Sequence, residues 1–265
     1  MPRAKRRLGQ HFLSDPRILE RIADALGATT GDTVLEVGPG TGGLTEMLAR
    51  KAGSLVAIEK DADLVPALRD RVPAATIVQA DALEVDWHAI AGPDFLVAGN
   101  IPYNITSPLI DKALAPPRPR RIVFLVQKEV ADRVSAPPGT RAYGALSVGV
   151  QAVAQAERLF TVPAGAFHPR PEVDSAVLRL SPLARPLVAD EELEPFRRLV
   201  VGLFGFRRKQ IGRGLRELTG WEGERLHGAL ERAGIEATVR PEDVAPERFA
   251  RLLGALAGEH QNPDC

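Results

Sequence analysis

Apolar residues recur along the chain first at helical spacing and then in short unbroken runs. In SDPRILERIADALG, residues 14–27, Ile18, Leu19, Ile22, Ala23 and Leu26 fall on one stripe. That spacing predicts a helix capped by Ser14 or Asp15, opened by Pro16 and stopped by Gly27. Apolar runs follow at Thr33 to Val37, Leu55 to Glu59, Thr76 to Gln79, Phe95 to Ala98 and Ile122 to Val126, separated by helical stretches near 43–51, 61–71, 106–114 and 128–134. Strands that are apolar throughout need cover on both faces, so the alternation predicts a doubly wound α/β unit to about residue 127. Beyond it, Tyr143 to Ala154 reads as a helix and VDSAVLRL, 173–180, alternates like one added strand. From 186 onward, stretches at 190–204, 206–218, 222–233 and 246–257 read as helices, which predicts domains at 1–185 and 186–265, the second small and helical.

Composition narrows the setting. With 45% hydrophobic and 26% charged residues the chain is that of a globular protein, and no apolar stretch approaches the ~18 to 20 residues of a bilayer span. The start, MPRAKRRLGQHFL, is basic but lacks the apolar run of a signal peptide, so a cytoplasmic protein is expected. The one cysteine, Cys265, excludes an intramolecular disulfide and a cysteine-based zinc site, and the five histidines (11, 88, 168, 227 and 260) show no i, i+4 pair suited to a metal. No metal is expected.

The strongest local signal is VLEVGPGTGGLT, residues 34–45, an apolar strand running through Gly38, Gly40, Gly42 and Gly43 into a helix. Glycines there let the backbone turn sharply and approach a ligand that a Cβ would block. Gly38, Gly40 and Gly43 formally satisfy G-x-G-x-x-G, which keeps a nicotinamide or flavin site open. Glu59, about 20 residues on, suits both ribose hydroxyls of a dinucleotide or of S-adenosylmethionine and does not discriminate. Asp81 can accept from an adenine amino group while the Ala82 amide faces the ring. Glu36 does discriminate: a pyrophosphate would be repelled by it, whereas a sulfonium ligand carrying an ammonium group tolerates a carboxylate.

The end of the fourth strand carries Gly99-Asn100-Ile101-Pro102-Tyr103-Asn104, at the sheet edge where ligands of such folds bind. The exocyclic amine of adenine is a poor nucleophile because its lone pair is delocalised into the ring. Hydrogen bonds from that amine to the Asn100 side-chain oxygen and the Ile101 carbonyl would localise the pair. Pro102 stiffens the carbonyls and Tyr103 offers a ring for the base to stack on.

Taken in order, LGQHFL (8–13), EVGPGTGGLT (36–45), GNIPYNITSPL (99–109), VQKEVADRV (126–134) and FHPRPEVDSAVLRL (167–180) closely resemble the rRNA adenine N6,N6-dimethyltransferases of the KsgA type, over residues 6 to 257. The resemblance implies a Rossmann-like class I methyltransferase sheet, mostly parallel with one added antiparallel strand, followed by a small all-helical domain that contacts rRNA. It implies S-adenosylmethionine as methyl donor and dimethylation of two adjacent adenosines in the loop of the 3′-terminal hairpin of small-subunit (16S) rRNA. The expected setting is ribosome assembly, with the protein acting as a monomer and without a membrane. By motif it puts His11 and Leu13 against the cofactor, Gly38 and Gly40 at its amino-acid end, Glu59 on the ribose and Asp81 with Ala82 on the adenine. Asn100 reaches both cofactor and target amine, and Phe167 packs on the target base opposite Tyr103. The large-subunit (23S) rRNA methylases that confer macrolide resistance share the glycine turn and N-I-P-Y and are the alternative.

Two departures stand out. Ile101 replaces a frequent leucine, which is neutral if its carbonyl is the working group. Arg207-Arg208-Lys209 runs into Gly212-Arg213-Gly214, and glycines inside a helix cost about 1 kcal/mol each, so a break is expected there. Net charge is zero, 34 basic against 34 acidic residues, but the windows 1–22, 116–133 and 197–217 hold 18 basic and 5 acidic residues. Arg120, Arg121, Arg207, Arg208 and Lys209 are therefore the expected phosphate contacts.

Overall fold

The computed structural model describes Lys5 and residues 8–260; Cys265 and the basic residues Arg3, Arg6 and Arg7 lie outside the described residues. In chain order the elements are β1 (Phe12–Leu13), α1 (Pro16–Leu26), β2 (Thr33–Val37), α2 (Gly43–Ala49), β3 (Ser54–Glu59), α3 (Val65–Arg71) and β4 (Ala75–Gln79). Then come α4 (Trp87–Ala91), β5 (Leu96–Asn100), α5 (Thr106–Ala113), β6 (Arg121–Gln127), α6 (Lys128–Val134), α7 (Ala145–Gln151), β7 (Ala154–Val162), β8 (Phe167–His168) and β9 (Ser175–Pro182). The last four are α8 (Leu193–Gly205), α9 (Ile211–Thr219), α10 (Gly223–Ala233) and α11 (Pro246–His260).

The first helix forms as its stripe predicts, and the choice of cap resolves to Asp15, whose carboxylate accepts from the Arg17 and Ile18 amides while Gly27 closes the far end in the left-handed region. Its buried Leu19, Ile22, Ala23 and Leu26 face the central sheet. That sheet has seven strands in the order β4-β3-β2-β5-β6-β9-β7. β4, β3, β2, β5 and β6 run parallel, and β9 pairs antiparallel with β6, as the resemblance implied. Val34, Leu35, Val97, Ala98, Val123 and Phe124 are inaccessible, which is why these strands carry no polar face. A separate ribbon joins β1 to β8, seating Phe12 opposite His168 and Leu13 opposite Phe167.

Two compact units form, and their boundary differs from the single cut at 185/186. One unit runs through Ala131 and resumes at Ala156–Pro182; the other takes Asp132–Gln155 and the chain from Leu183. The excursion belongs to the helical unit because Tyr143, fully buried, donates to the Val244 carbonyl at 2.8 Å and sets its ring edge-on to Phe204. The Gly139 amide likewise donates to the Glu242 carbonyl at 2.8 Å. The helix expected over Tyr143 to Ala154 shortens to α7, and its last residue opens β7.

The glycines at 212 and 214 do not break a helix. α9 starts at Ile211 and runs unbroken to Thr219, with both glycines buried in its first turns. A Cβ on Gly212 would stand 3.0 Å from the Ala237 Cβ, and its amide donates to the Ala237 carbonyl at 3.0 Å. The glycine permits a close backbone approach that offsets its poor helix propensity.

Candidate active site

The carboxyl ends of β2, β3 and β5 enclose a cleft of about 1190 Å³ including its mouth, lined by the glycine turn, Glu59, Asp81, Ala82 and the N-I-P-Y segment. Gly38 and Gly40 hold φ of +69° and +59°, which L side chains rarely adopt, and a Cβ on Gly40 would stand 3.1 Å from the Phe12 ring. The Gly40 amide donates to Glu59 Oε2 at 3.0 Å and the Asp61 amide to Glu59 Oε1 at 2.7 Å. Glu59 therefore braces the turn across two strands, and burial raises its carboxyl pKa.

Glu36 is the anomaly of the cleft. It is 1% exposed, it lines the cleft, and both its Oε2 and the neighbouring Thr45 hydroxyl are buried without a hydrogen-bond partner. Burial pushes its carboxyl up to about 8; the Thr45 hydroxyl, close by but without a well-formed hydrogen bond, offsets part of the rise, and the Glu59 charge adds to it. An unpartnered buried polar atom costs about 1 to 3 kcal/mol, a debt that a cationic ligand group would cancel.

At the end of β5, the Ile101 amide donates to the Leu125 carbonyl at 3.0 Å, and a Cβ on Gly99 would collide with the Val37 carbonyl. Asn100 Nδ2 donates to the His11 carbonyl at 2.8 Å, which leaves Oδ1 as the side chain's remaining acceptor. Pro102 takes φ −56° and ψ 133°, and its carbonyl accepts from the Ile105 amide. The Tyr103 ring is half-buried; its hydroxyl meets Ser175 Oγ at 2.8 Å, and burial raises its pKa. His11 stacks on it, ring centroids 5.5 Å apart and planes at 25°.

The cleft thus gathers His11, Leu13, Gly38, Gly40, Glu59, Asp81, Ala82, Asn100, Ile101, Pro102 and Tyr103. Asp81 has its Oδ1 on the Leu83 amide at 2.9 Å and its Oδ2 on Lys60 at 2.5 Å, and the Lys60 bond lowers its pKa. Phe167 is placed elsewhere: it is 5% exposed, packs in the core beside Leu13 and does not line the cleft. Arg120 and Arg121 correct the charge reading. Arg121 opens β6, so both stand at the amino ends of the strands, opposite the cleft. Arg120 pairs with Asp32 and Asp94, and Arg121 donates to the Leu26 carbonyl at 2.9 Å. In the helical unit Arg207 pairs with Glu242 and donates to the Arg141 carbonyl, whereas Arg208 and Lys209 are exposed, Lys209 near Glu217 at 3.5 Å.

Sequence reasoning passed over Gln10, Pro169 and Ser175. Gln10 donates to Asp61 at 3.0 Å, and Ser175 is fully buried. A hydroxyl on the inward face of VDSAVLRL was a legible signal, because a buried hydroxyl needs a partner. Among the described residues no three His, Cys, Asp or Glu side chains are grouped to hold a metal ion, and no helix is long and apolar enough to cross a membrane.

A mostly parallel sheet with one antiparallel strand, bearing a glycine turn and N-I-P-Y at one shared cleft, is the fold of the class I methyltransferases. Residues 1–257 match the model of the family described as ribosomal RNA adenine dimethylase, and the chain belongs to that family. It is 44% identical over 264 residues to ribosomal RNA small subunit methyltransferase A of Geobacter metallireducens, covering 96% of each chain. It is 45% identical over 260 residues to the protein of the same name from Acidithiobacillus ferrooxidans, covering 96% of this chain and 95% of that one. Among solved structures, the 23S rRNA methyltransferase ErmE is 31% identical with a TM-score of 0.75, covering 93% of this chain and 99% of that one. A dimethyladenosine transferase from Plasmodium falciparum, 24% identical, shares the fold at a TM-score of 0.80, covering 94% and 98%.

Proposed function

We propose that the protein transfers methyl groups from S-adenosylmethionine to N6 of two adjacent adenosines in the 3′-terminal hairpin loop of small-subunit rRNA, as a cytoplasmic monomer acting during ribosome assembly. The observation that carries this reading is the Asn100 amide, whose N–H is taken by the His11 carbonyl so that Oδ1 remains to accept. With the Ile101 carbonyl it makes a pair of acceptors for the two N–H bonds of an exocyclic amine. Accepting both localises the amine lone pair, and Tyr103 offers the face on which the base stacks. Alignment then supplies most of the acceleration, without a strong general base.

The residues present fit the donor. Glu36 presents an unpartnered carboxylate oxygen for an ammonium group, and the glycine turn leaves room where a Cβ would stand. Glu59 and Asp81 keep second lone pairs for ribose hydroxyls and an adenine amine, the latter once Lys60, an exposed side chain, swings aside. His11, Leu13, Gly38, Gly40 and Ala82 complete the walls. When bound, S-adenosylmethionine supplies a sulfonium methyl as the electrophile.

The small-subunit substrate is favoured over the large-subunit one because relatives named for the small subunit are 39–45% identical, against 31% for ErmE. In the helical unit, Arg208 and Lys209 are the candidate contacts to rRNA phosphates. Methyl transfer to purified under-methylated small subunits, compared with large subunits and mature particles, tests the reading. Dimethyladenosine is expected only in the first. Its appearance in large-subunit rRNA instead would reject the small-subunit assignment.

A further inference from the structure

We propose that His11 is a positioning residue that holds the two working side chains of N-I-P-Y at once, Asn100 through its backbone and Tyr103 through its ring. The inference rests on the methyltransferase reading above and goes beyond the cofactor contact that the family resemblance implies for this position.

Three observations meet at this residue. Its carbonyl accepts from Asn100 Nδ2 at 2.8 Å. Its Nδ1 lies 2.8 Å from the Pro169 carbonyl, and because a carbonyl only accepts, the proton must reside on Nδ1. Its ring stacks on Tyr103, whose hydroxyl is held at the opposite end by the buried Ser175. The ring N–H thus ties the segment to the strand region after His168, next to the ribbon that seats Phe12 opposite His168.

The chemistry gives each contact a separate consequence. An asparagine amide can flip, and the flipped form would turn its NH₂ toward the target amine, donor against donor. Only the NH₂ can face a carbonyl, so the His11 carbonyl selects the productive orientation. The imidazole, anchored to Pro169, fixes where that carbonyl points. The same ring covers one face of Tyr103 and so sets the angle of the base platform.

Two variants separate these roles. His11→Phe keeps an aromatic ring on Tyr103 and loses the donor to Pro169; His11→Asn keeps a donor and loses the ring. The chain has only two tyrosines, Tyr103 and Tyr143. Ring-labelled ¹³C-tyrosine protein therefore gives two signal sets, assigned with Tyr103→Phe, and no substrate is needed. In His11→Asn the Tyr103 signals shift as the ring current is lost while the Tyr143 signals stay; in His11→Phe a ring current persists at Tyr103. In methyl transfer to small subunits, His11→Phe lowers kcat about 10- to 100-fold with KM for the particle within twofold. His11→Asn raises that KM roughly 2- to 10-fold and leaves kcat within threefold. Unmoved Tyr103 signals in His11→Asn would overturn the proposal, as would wild-type kcat in His11→Phe. So would equal losses of kcat in both variants that track a fall in Tm, the mark of a structural role alone. A wild-type protein inactive on small subunits would reject the methyltransferase reading instead, and the tyrosine signals would still decide the stacking.

Discussion

The two ends of the parallel sheet hold similar residue types in opposite conditions. At the amino ends Asp32 accepts from the Thr29 amide and hydroxyl and pairs with Arg120, Arg120 also reaches Asp94, and Arg121 satisfies the last carbonyl of α1. At the carboxyl ends Glu36 keeps an unpartnered oxygen and Asn100 keeps a spare acceptor. A closed set of charges has little left to offer a ligand unless a partner can move aside, as the exposed Lys60 can from Asp81. An open set costs stability and is tolerated where a ligand completes it. The difference shows why polar residues at one rim read as structure and at the other as chemistry.

The comparison is broken most severely at Asn100. Asn100→Ala removes the side-chain acceptor and frees the His11 carbonyl, and methyl transfer to small subunits should fall ~100- to 1000-fold, the usual loss for one preorganised polar group. Its thermal unfolding should stay close to wild type, since Asn100 is partly exposed. Near-wild-type turnover would mean that the open acceptor is incidental.

Asn100 was legible because it directly follows an apolar run, and such runs end where ligands bind. The central strands and the first helix were legible because each keeps one hydrophobic period, and the glycine turn because its positive φ angles call for glycine. Elements without a clean period were not. β7 reads AQAERLFTV, broken by Glu157 and Arg158; Glu157 pairs with Arg179 of β9 at 2.7 Å, a cross-strand bond that no hydropathy pattern records. β1 and β8 are two residues each, too short for any period. Arg120 was misread because a count of charges does not say at which end of a strand they stand. Phe167 carried a role by motif alone, and only packing reveals it as core.

Glu36 sharpens the comparison through pH. Its folded pKa of about 8 exceeds the unfolded value near 4.5, so it favours the ligand-free fold fully below 4.5 and loses that contribution as pH rises through 8. Glu36→Gln should therefore gain in Tm relative to wild type between pH 6 and pH 9. An ammonium group needs the ionised form, so wild-type affinity for S-adenosylhomocysteine should climb by up to about tenfold per pH unit below 8 and then level. In Glu36→Gln the profile should be flat and the affinity at pH 8 roughly 10- to 100-fold weaker, the worth of one charge-assisted bond. Calorimetric titration across pH 6 to 9 reads both, and a parallel slope in the variant would assign the titration elsewhere.

The smallest effect is expected at Arg120. Its partners Asp32 and Asp94 make it a surface ion pair of the kind that contributes little, so Arg120→Gln should lower Tm by about 2 °C or less at neutral pH. Arg120, helped by the Thr29 hydroxyl and amide, holds the Asp32 carboxyl down to about 2, against an unfolded value near 3.8. That contribution is present above 3.8 and disappears as pH falls through 2, so the wild-type and variant Tm values should converge in acid. Arg120 stands at the closed end, so methyl transfer and its salt dependence should be unchanged. Arg208→Gln together with Lys209→Gln should instead flatten the salt dependence of particle binding, the slope falling by about one for each phosphate no longer neutralised. If Arg120→Gln flattened it as much, rRNA would reach the amino ends of the strands, and the charge pairs there could no longer be read as purely structural.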